Sequence, residues 1–531
     1  MGIIDLIVIG CYFALILCVG FYVVRKQKQN VSSYFLAGRS LPWVVIGAAL
    51  FASNISTTQI VGLSSSGFKD GLVWGNFEWM AVFTLLMLSF IFVPFYFRSQ
   101  IRTLPEFLEK RFDPVSRSIL AVIAILTALF VHIGISLYAG AVVFKTFFGI
   151  DIWVSIAIIS VLTASYTIAG GLRAVVFTET LQAIILIGGC LLLTIMAVLK
   201  LPSAGVHNLA EFKQHLTPTH FAMIQGRNSA VGLSWFAVLL GYPVLGIWYW
   251  CADQTIVQRV LGARSLDDAR KGPLFAGFLK LLPVFIMVLP GIIAAVLLAG
   301  RIKDPNETYP MLISTLLPVG LRGLVTASLL AGLMSVVASA LNSSATLVSL
   351  DIVGRLKTGL TENQQVWTGK IAAGVVMVFA ILWSPMVAKF DSIFVAINQV
   401  LSCIAPPVSA VFLLGVLWKR GTAKAARATL ITGIILGILV FLIDFPVIGT
   451  QRMLTNNLGI HFMMQAWWLF VICCSVFVGV SLLTTPPKEE QVKYCFTFKG
   501  TVGMGPVVST KVMGGTILIM VLLLYYLTTL I

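Results

Sequence analysis

Ala52-Ser53-Asn54-Ile55-Ser56-Thr57-Thr58-Gln59 is a largely polar octet inside an otherwise apolar segment that runs from about 43 to 66. Hydrocarbon offers no water to polar side chains or unpaired backbone, so such a stretch is tolerated only where protein or a water-filled cavity surrounds it. The octet therefore reads as a helix broken where a solute can sit.

The rest of the chain supplies the membrane context. Of its 531 residues 59% are hydrophobic and only 11% charged, too few for an ordinary soluble surface. About fourteen apolar segments have the roughly 20 residues needed to cross a bilayer. The first begins at Met1-Gly2 without a basic leader or a small-residue cleavage site and is expected to be retained. Basic residues gather in Arg25 to Lys28, Arg98 to Arg117, Arg259 to Lys271 and Lys419 to Arg427, whereas 200–230 and 300–321 carry fewer cations per residue. The positive-inside rule then puts the first group in the cytoplasm and both termini outside.

A net charge of +16 is spread over these short loops, so it calls for no nucleic-acid partner. The eight cysteines form no CxxC pair and the five histidines are scattered, which points to neither a disulfide framework nor a transition-metal site.

A second interruption is expected in the 231–251 span, with Gly241, Pro243 and Gly246 as its breakers, just before Trp248-Tyr249-Trp250. It comes five spans after the first, so the two broken helices run antiparallel. Broken helices at matching places in two oppositely oriented halves mark an inverted-repeat transporter with its site near the midplane. The expected organisation is an extra helix and loop over 1–42, a first five-helix repeat over 43–199 and an extracellular loop over 200–230. A second repeat over 231–417 and three further helices over 418–531 complete it.

Charged residues inside spans narrow the site. Glu78 and Lys280 each cost roughly 2.5 to 3.5 kcal/mol at a helix centre unless they snorkel to the interface or serve a function. Glu179 lies near a span end, where snorkelling is the competing reading. Ser335, Ser339, Asn342 and Thr346 follow helical spacing on the 322–349 span and share a face that must meet protein. Such residues either glue helices together or offer a monovalent cation hydroxyls beside free backbone carbonyls.

These residues carry a resemblance. Tyr34-Phe35-Leu36-Ala37-Gly38-Arg39, Ser53-Asn54-Ile55-Ser56, Gly75-Asn76-Phe77-Glu78-Trp79, Leu104-Pro105-Glu106-Phe107, Gly170-Gly171-Leu172 and Trp248-Tyr249-Trp250-Cys251-Ala252-Asp253-Gln254, in that order, resemble the sodium:solute symporter family, its sodium/glucose cotransporter branch above all. The resemblance covers about 20 to 430. It implies an all-α polytopic membrane protein with a LeuT-like core of five plus five helices, and a sodium ion bound by carbonyls of Ala52, Ile55 and Gly332 with the hydroxyl of Ser335. Val336 departs from the pattern, since an aliphatic side chain stands where a second hydroxyl is usual. Substrate contacts implied are Asn54, Gln59, Glu78, Lys280 and Asn398, the last one methylene shorter than the family's glutamine, with Gln399 about 100° around the helix. Leu63, Phe77 and Phe394 resemble an outer gate, and Tyr249 or Trp250 an inner one.

The function expected is import of a sugar or polyol by sodium symport across the plasma membrane, with no obligate protein partner. A sodium-independent or proton-coupled carrier, a symporter of another small solute, and a membrane solute sensor are the alternatives. The loops of only about 25 to 30 residues hold no signalling domain. An intramembrane enzyme is disfavoured, since no nucleophile–base pair or phosphate loop is visible.

Overall fold

The structure is a computed structural model that describes residues 2–25, 30–389, 393–445, 452–495 and 507–530. It is almost entirely helical. Twelve helical runs among the described residues are long and apolar enough to cross a membrane. The sequence expectation of about fourteen spans thus becomes twelve unbroken runs, for a local reason. Thr57–Arg98 and Ile152–Ala204 are each counted as one run, although each turns at a glycine. At Gly71 (φ 83°) a Cβ would lie 2.2 Å from the carbonyl oxygen of His220, and at Gly171 (φ 57°) 2.3 Å from that of Tyr34. Only glycine fits both the left-handed backbone and the close approach.

The first interruption falls inside the predicted octet. The Trp43–Asn54 helix stops because Ile55 and Ser56 adopt extended backbone, and Ser56 restarts the chain as N-cap of Thr57–Asp70, its hydroxyl accepting from the Gln59 N–H at 3.1 Å.

The second interruption is displaced from its predicted place. The Trp235–Gly246 helix runs through Pro243 into a wider π-type turn, Ile247–Ala252, and breaks at Asp253, which caps Gln254–Leu261 by accepting from Thr255 N–H at 2.9 Å. Gly241 and Gly246 serve packing instead. A Cβ at Gly241 would sit 2.4 Å from the Met463 carbonyl oxygen, and one at Gly246 2.7 Å from the Thr84 methyl.

Leu321–Leu347 is the central helix, buried nearly all round and packed most extensively along Ile152–Lys200. Its N-terminus is held from the first span. The buried Asp5 carboxylate accepts from Gly320 N–H at 2.7 Å and Gly323 N–H at 2.8 Å, satisfying donors that the first turn of a helix leaves free. At the opposite side of the molecule Arg111 closes the end of the Ile393–Leu417 helix, donating to the carbonyls of Gly415, Trp418 and Gly421 at 2.8 to 3.1 Å.

Candidate functional site

Both broken helices border one cavity, which encloses about 910 Å³ of space between atoms, solvent at its mouth included. Asn54, Gln59, Lys280, Asn398, Phe77, Phe394, Tyr249 and Trp250 all line it, so most of the predicted residues converge on one place. Glu78 lies behind them.

Glu78 and Lys280 do not snorkel. They are 0% and 1% exposed and form an ion pair with each other. Lys280 also donates to the Asn54 side-chain oxygen, Gln59 donates to the other Glu78 oxygen, and the Lys280 ammonium faces the Trp250 ring 5.7 Å from its centroid. The result is a continuous polar array in which the two charges cancel. Each charge retains hydrogen-bonding capacity, a third N–H on Lys280 and further lone pairs on Glu78. Asn398 donates to the Phe394 carbonyl at 2.8 Å and presents its remaining groups to the cavity.

Beside this array the chain gathers uncharged oxygens. The Ser335 hydroxyl lies 2.7 Å from the Ala52 carbonyl and 2.9 Å from that of Gly332. The Ile55 carbonyl closes on the same helix, since a Cβ at Gly332 would be only 2.8 Å from it. Val336 lines the cavity and brings no oxygen. Ser53 and Ser339 are engaged nearby, donating to the carbonyls of Ala49 at 2.5 Å and Ser335 at 2.6 Å. Carbonyls at a helix break with one hydroxyl form a hard, neutral donor set that suits a monovalent cation. Glu179, the third charged residue singled out within the spans, is also fully buried and pairs with Arg259, whose Nε donates to it at 2.9 Å.

On the side of the 200–230 loop the cavity ends at a layer of aromatic rings. Trp74 stacks on Phe77 with centroids 5.7 Å apart, Phe394 meets both rings edge-on, and Phe462 lies 6.3 Å from Phe77. Phe394 is seated against Gly62, whose position leaves no room for a Cβ, and the neighbouring Leu63 is fully buried without lining the cavity. Beyond the rings lies a second cavity bordered by Lys69, Asp70, Trp74, Asn306, Gln399 and Phe462.

Trp74 and Phe462 were not among the expected gate residues, and neither were His132, Ser136, Tyr242 and Trp248 among the expected cavity lining. His132 pairs with Asp253 at 2.9 Å and lies parallel to Trp248. The spacing of His132 and Ser136, four apart in an apolar span, was the one available signal.

Two broken helices around one cavity shut on one side by packed rings define a secondary transporter of LeuT-like fold. The chain belongs to the sodium:solute symporter family, whose model matches residues 34–433. It is 35% identical to the sodium/myo-inositol cotransporter of Mus musculus over 92% of this chain and 74% of that protein. It is 36% identical to the sodium/mannose cotransporter of Bos taurus, over 93% and 89%, and 34% identical to sodium/glucose cotransporter 4 of Homo sapiens, over 92% and 77%. Among solved structures, a Na+-coupled sialic acid symporter in a substrate-bound outward-open state superposes with a TM-score of 0.79 at 23% identity, covering 92% of this chain and 99% of that one. Mhp1, a nucleobase-cation-symport-1 family transporter, gives 0.54 at 15% identity, over 88% and 98%. These two support the fold.

Proposed function

We propose that this chain imports a neutral sugar or polyol, of inositol or hexose kind, by sodium symport across the plasma membrane, with both termini outside. The observation that carries this reading is the Gln59–Glu78–Lys280–Asn54 array, charge-balanced and buried, facing a cavity beneath a ring of aromatics. A polyol can accept from the spare ammonium and amide N–H groups and donate to the carboxylate, so it meets the array by oriented hydrogen bonds without adding charge. Relatives that carry inositol, mannose and glucose support the same substrate class.

Ala52, Ile55, Gly332 and Ser335 are the residues that would hold the coupling ion. Sodium bound there would add one positive charge between the first broken helix and the central Leu321–Leu347 helix and hold their carbonyls together. Val336 leaves that set one hydroxyl poorer. Residues 43–199 and 231–417 form the two inverted halves, 1–42 and 418–531 flank them, and 200–230 is the outer loop. The 200–230 side being outer, Trp74, Phe77, Phe394 and Phe462 form the closed outer gate, with Leu63 backing it. Tyr249 and Trp250 lie under the substrate as the inner one. Alternating access then requires the rings to part while the opposite end closes.

The test is uptake into proteoliposomes of radiolabelled glucose, galactose, mannose and myo-inositol, with a sodium gradient or a potassium control. Accumulation above equilibrium with sodium alone is the expected result. Equal uptake in both salts would overturn sodium coupling, and no saturable uptake of any of the four would overturn the substrate class.

A further inference from the structure

The outer loop and the last span enclose a groove that the transport reading does not use. Leu216, Phe221, Met223 and Ile224 form its loop wall, and Thr528 and Thr529, at the end of the Val508–Leu530 helix, form the other. It encloses about 950 Å³, solvent at its mouth included. Lys213 also lines it, half-buried, and its ammonium has no hydrogen-bond or ion-pair partner among the described residues. Glu211, two residues away, is engaged in its own turn, accepting from the His207 N–H at 2.6 Å and the Asn208 amide at 2.7 Å.

The place of the groove says what can reach it. Tyr526, Leu527 and Leu530, on the outward side of the same helix, are 42 to 64% exposed, an apolar surface of the kind that faces hydrocarbon. Thr528 and Thr529 close that span and so lie where acyl chains give way to headgroups. A groove there, apolar along the loop wall and holding one unpaired cation, matches a lipid in both its parts. An acyl chain covers Leu216, Phe221 and Ile224, and a phosphate meets the ammonium. No carboxylate lines the groove among the described residues, so a headgroup with one net negative charge is favoured over a zwitterion, whose cation would find no partner.

The two walls are joined inside the molecule. Asn76 donates to the Met223 carbonyl at 2.7 Å and accepts from the Tyr525 hydroxyl at 2.9 Å. One buried side chain thus ties the outer loop and the last span to the start of the helix that carries Phe77 and Glu78. We infer that the groove lined by Lys213, Phe221, Met223 and Thr528 is a site for an anionic phospholipid of the outer leaflet, which braces the loop against the last span and steadies the closed outer gate. The hold on the gate rests on the transport reading above, whereas lipid binding itself does not.

The full chain in detergent is titrated with phosphatidylglycerol, phosphatidylcholine, diacylglycerol and glycerol 1-phosphate, and read by native mass spectrometry and thermal unfolding. Wild type is expected to retain one phosphatidylglycerol in preference to the others and to melt at a higher temperature with it. Lys213→Glu is expected to weaken that binding about tenfold, since one lysine at a membrane surface is worth about fivefold and the substitution also reverses the charge. Lys213→Arg should keep the lipid, and Ala222→Trp, which fills the groove, should lose it with the cation intact. Equal affinity for phosphatidylcholine or diacylglycerol, or unchanged binding in Lys213→Glu or Ala222→Trp, would overturn the site. Displacement by glycerol 1-phosphate would assign the ammonium to free phosphate, and a dimer that sheds the lipid would assign the groove to a second copy, each overturning it as well. In proteoliposomes phosphatidylglycerol is expected to slow sodium-driven sugar uptake about twofold in wild type and not in Ala222→Trp. Equal sensitivity of the two would overturn the hold on the gate. Absence of any sodium-driven uptake by wild type would instead remove the transport reading and leave lipid binding to stand on the titration.

Discussion

Lys280→Met removes an ammonium that donates to Glu78 and Asn54 and lies over Trp250, while the methionine fills a similar volume. Glu78 is then left as a buried carboxylate with only the Gln59 amide beside it. Breaking a buried ion pair from one side typically costs about 3–5 kcal/mol, and the surviving Gln59 bond puts this case near the lower end. A loss of about 3 kcal/mol is more than a hundredfold in the folding equilibrium. The double variant Glu78→Gln/Lys280→Met takes out both charges together, so it should recover most of that stability, because the desolvation cost disappears with the attraction. Transport should not recover, since the array that meets the solute has lost its carboxylate and its ammonium. The assay pairs thermal unfolding in detergent with saturable sugar uptake in proteoliposomes. The reasoning fails if Lys280→Met melts like wild type, which would mean Glu78 is already satisfied elsewhere. It fails equally if the double variant regains uptake, which would make the pair a structural clamp.

Three more outcomes are expected. Gly332→Ala pushes a Cβ to 2.8 Å from the Ile55 carbonyl, so that oxygen must retreat by a few tenths of an ångström; half-maximal sodium for uptake should rise tenfold or more, about 1.4 kcal/mol, as read from sodium activation curves. Val336→Ser restores a hydroxyl beside Ser335 and should lower half-maximal sodium severalfold in the same curves, no change placing position 336 off the ion site. Asp5→Ala frees the Gly320 and Gly323 N–H groups at the start of the central helix, which should cost about 0.5–2 kcal/mol and lower the melting temperature, with little change in the KM for sugar.

The first helix break was legible because polar residues in an apolar span leave few structural options, and it falls at Ile55–Ser56 inside the quoted octet. The second was only half legible. Glycine and proline mark either a break or a close approach, and nothing local distinguishes Gly241 under Met463 from a true interruption; Asp253, a capping side chain after an apolar run, was the better sign. Glu78 and Lys280 were found because ionisable groups are expensive in a membrane, and Gln59 because it closes the polar octet and matches a substrate contact that the family resemblance implies. Trp74 and Phe462 were not, because an aromatic residue in a span says nothing of its neighbours until segments far apart in the chain converge. His132 was hidden in the same way, its partner Asp253 lying on another helix.

The aromatic barrier has an electrical consequence. Water-filled cavities conduct, and two of them approach each other across little more than the Trp74, Phe77, Phe394 and Phe462 rings. With the central cavity open to the cytoplasmic side, much of the membrane voltage would drop over that thin insulating layer instead of over the full bilayer. An ion passing from above the rings to the carbonyls of Ala52 and Ile55 would cross most of the field in a short step, gaining up to about 2.3 kcal/mol per 100 mV. The parting of the rings would thereby be the step of the cycle that responds most steeply to membrane potential.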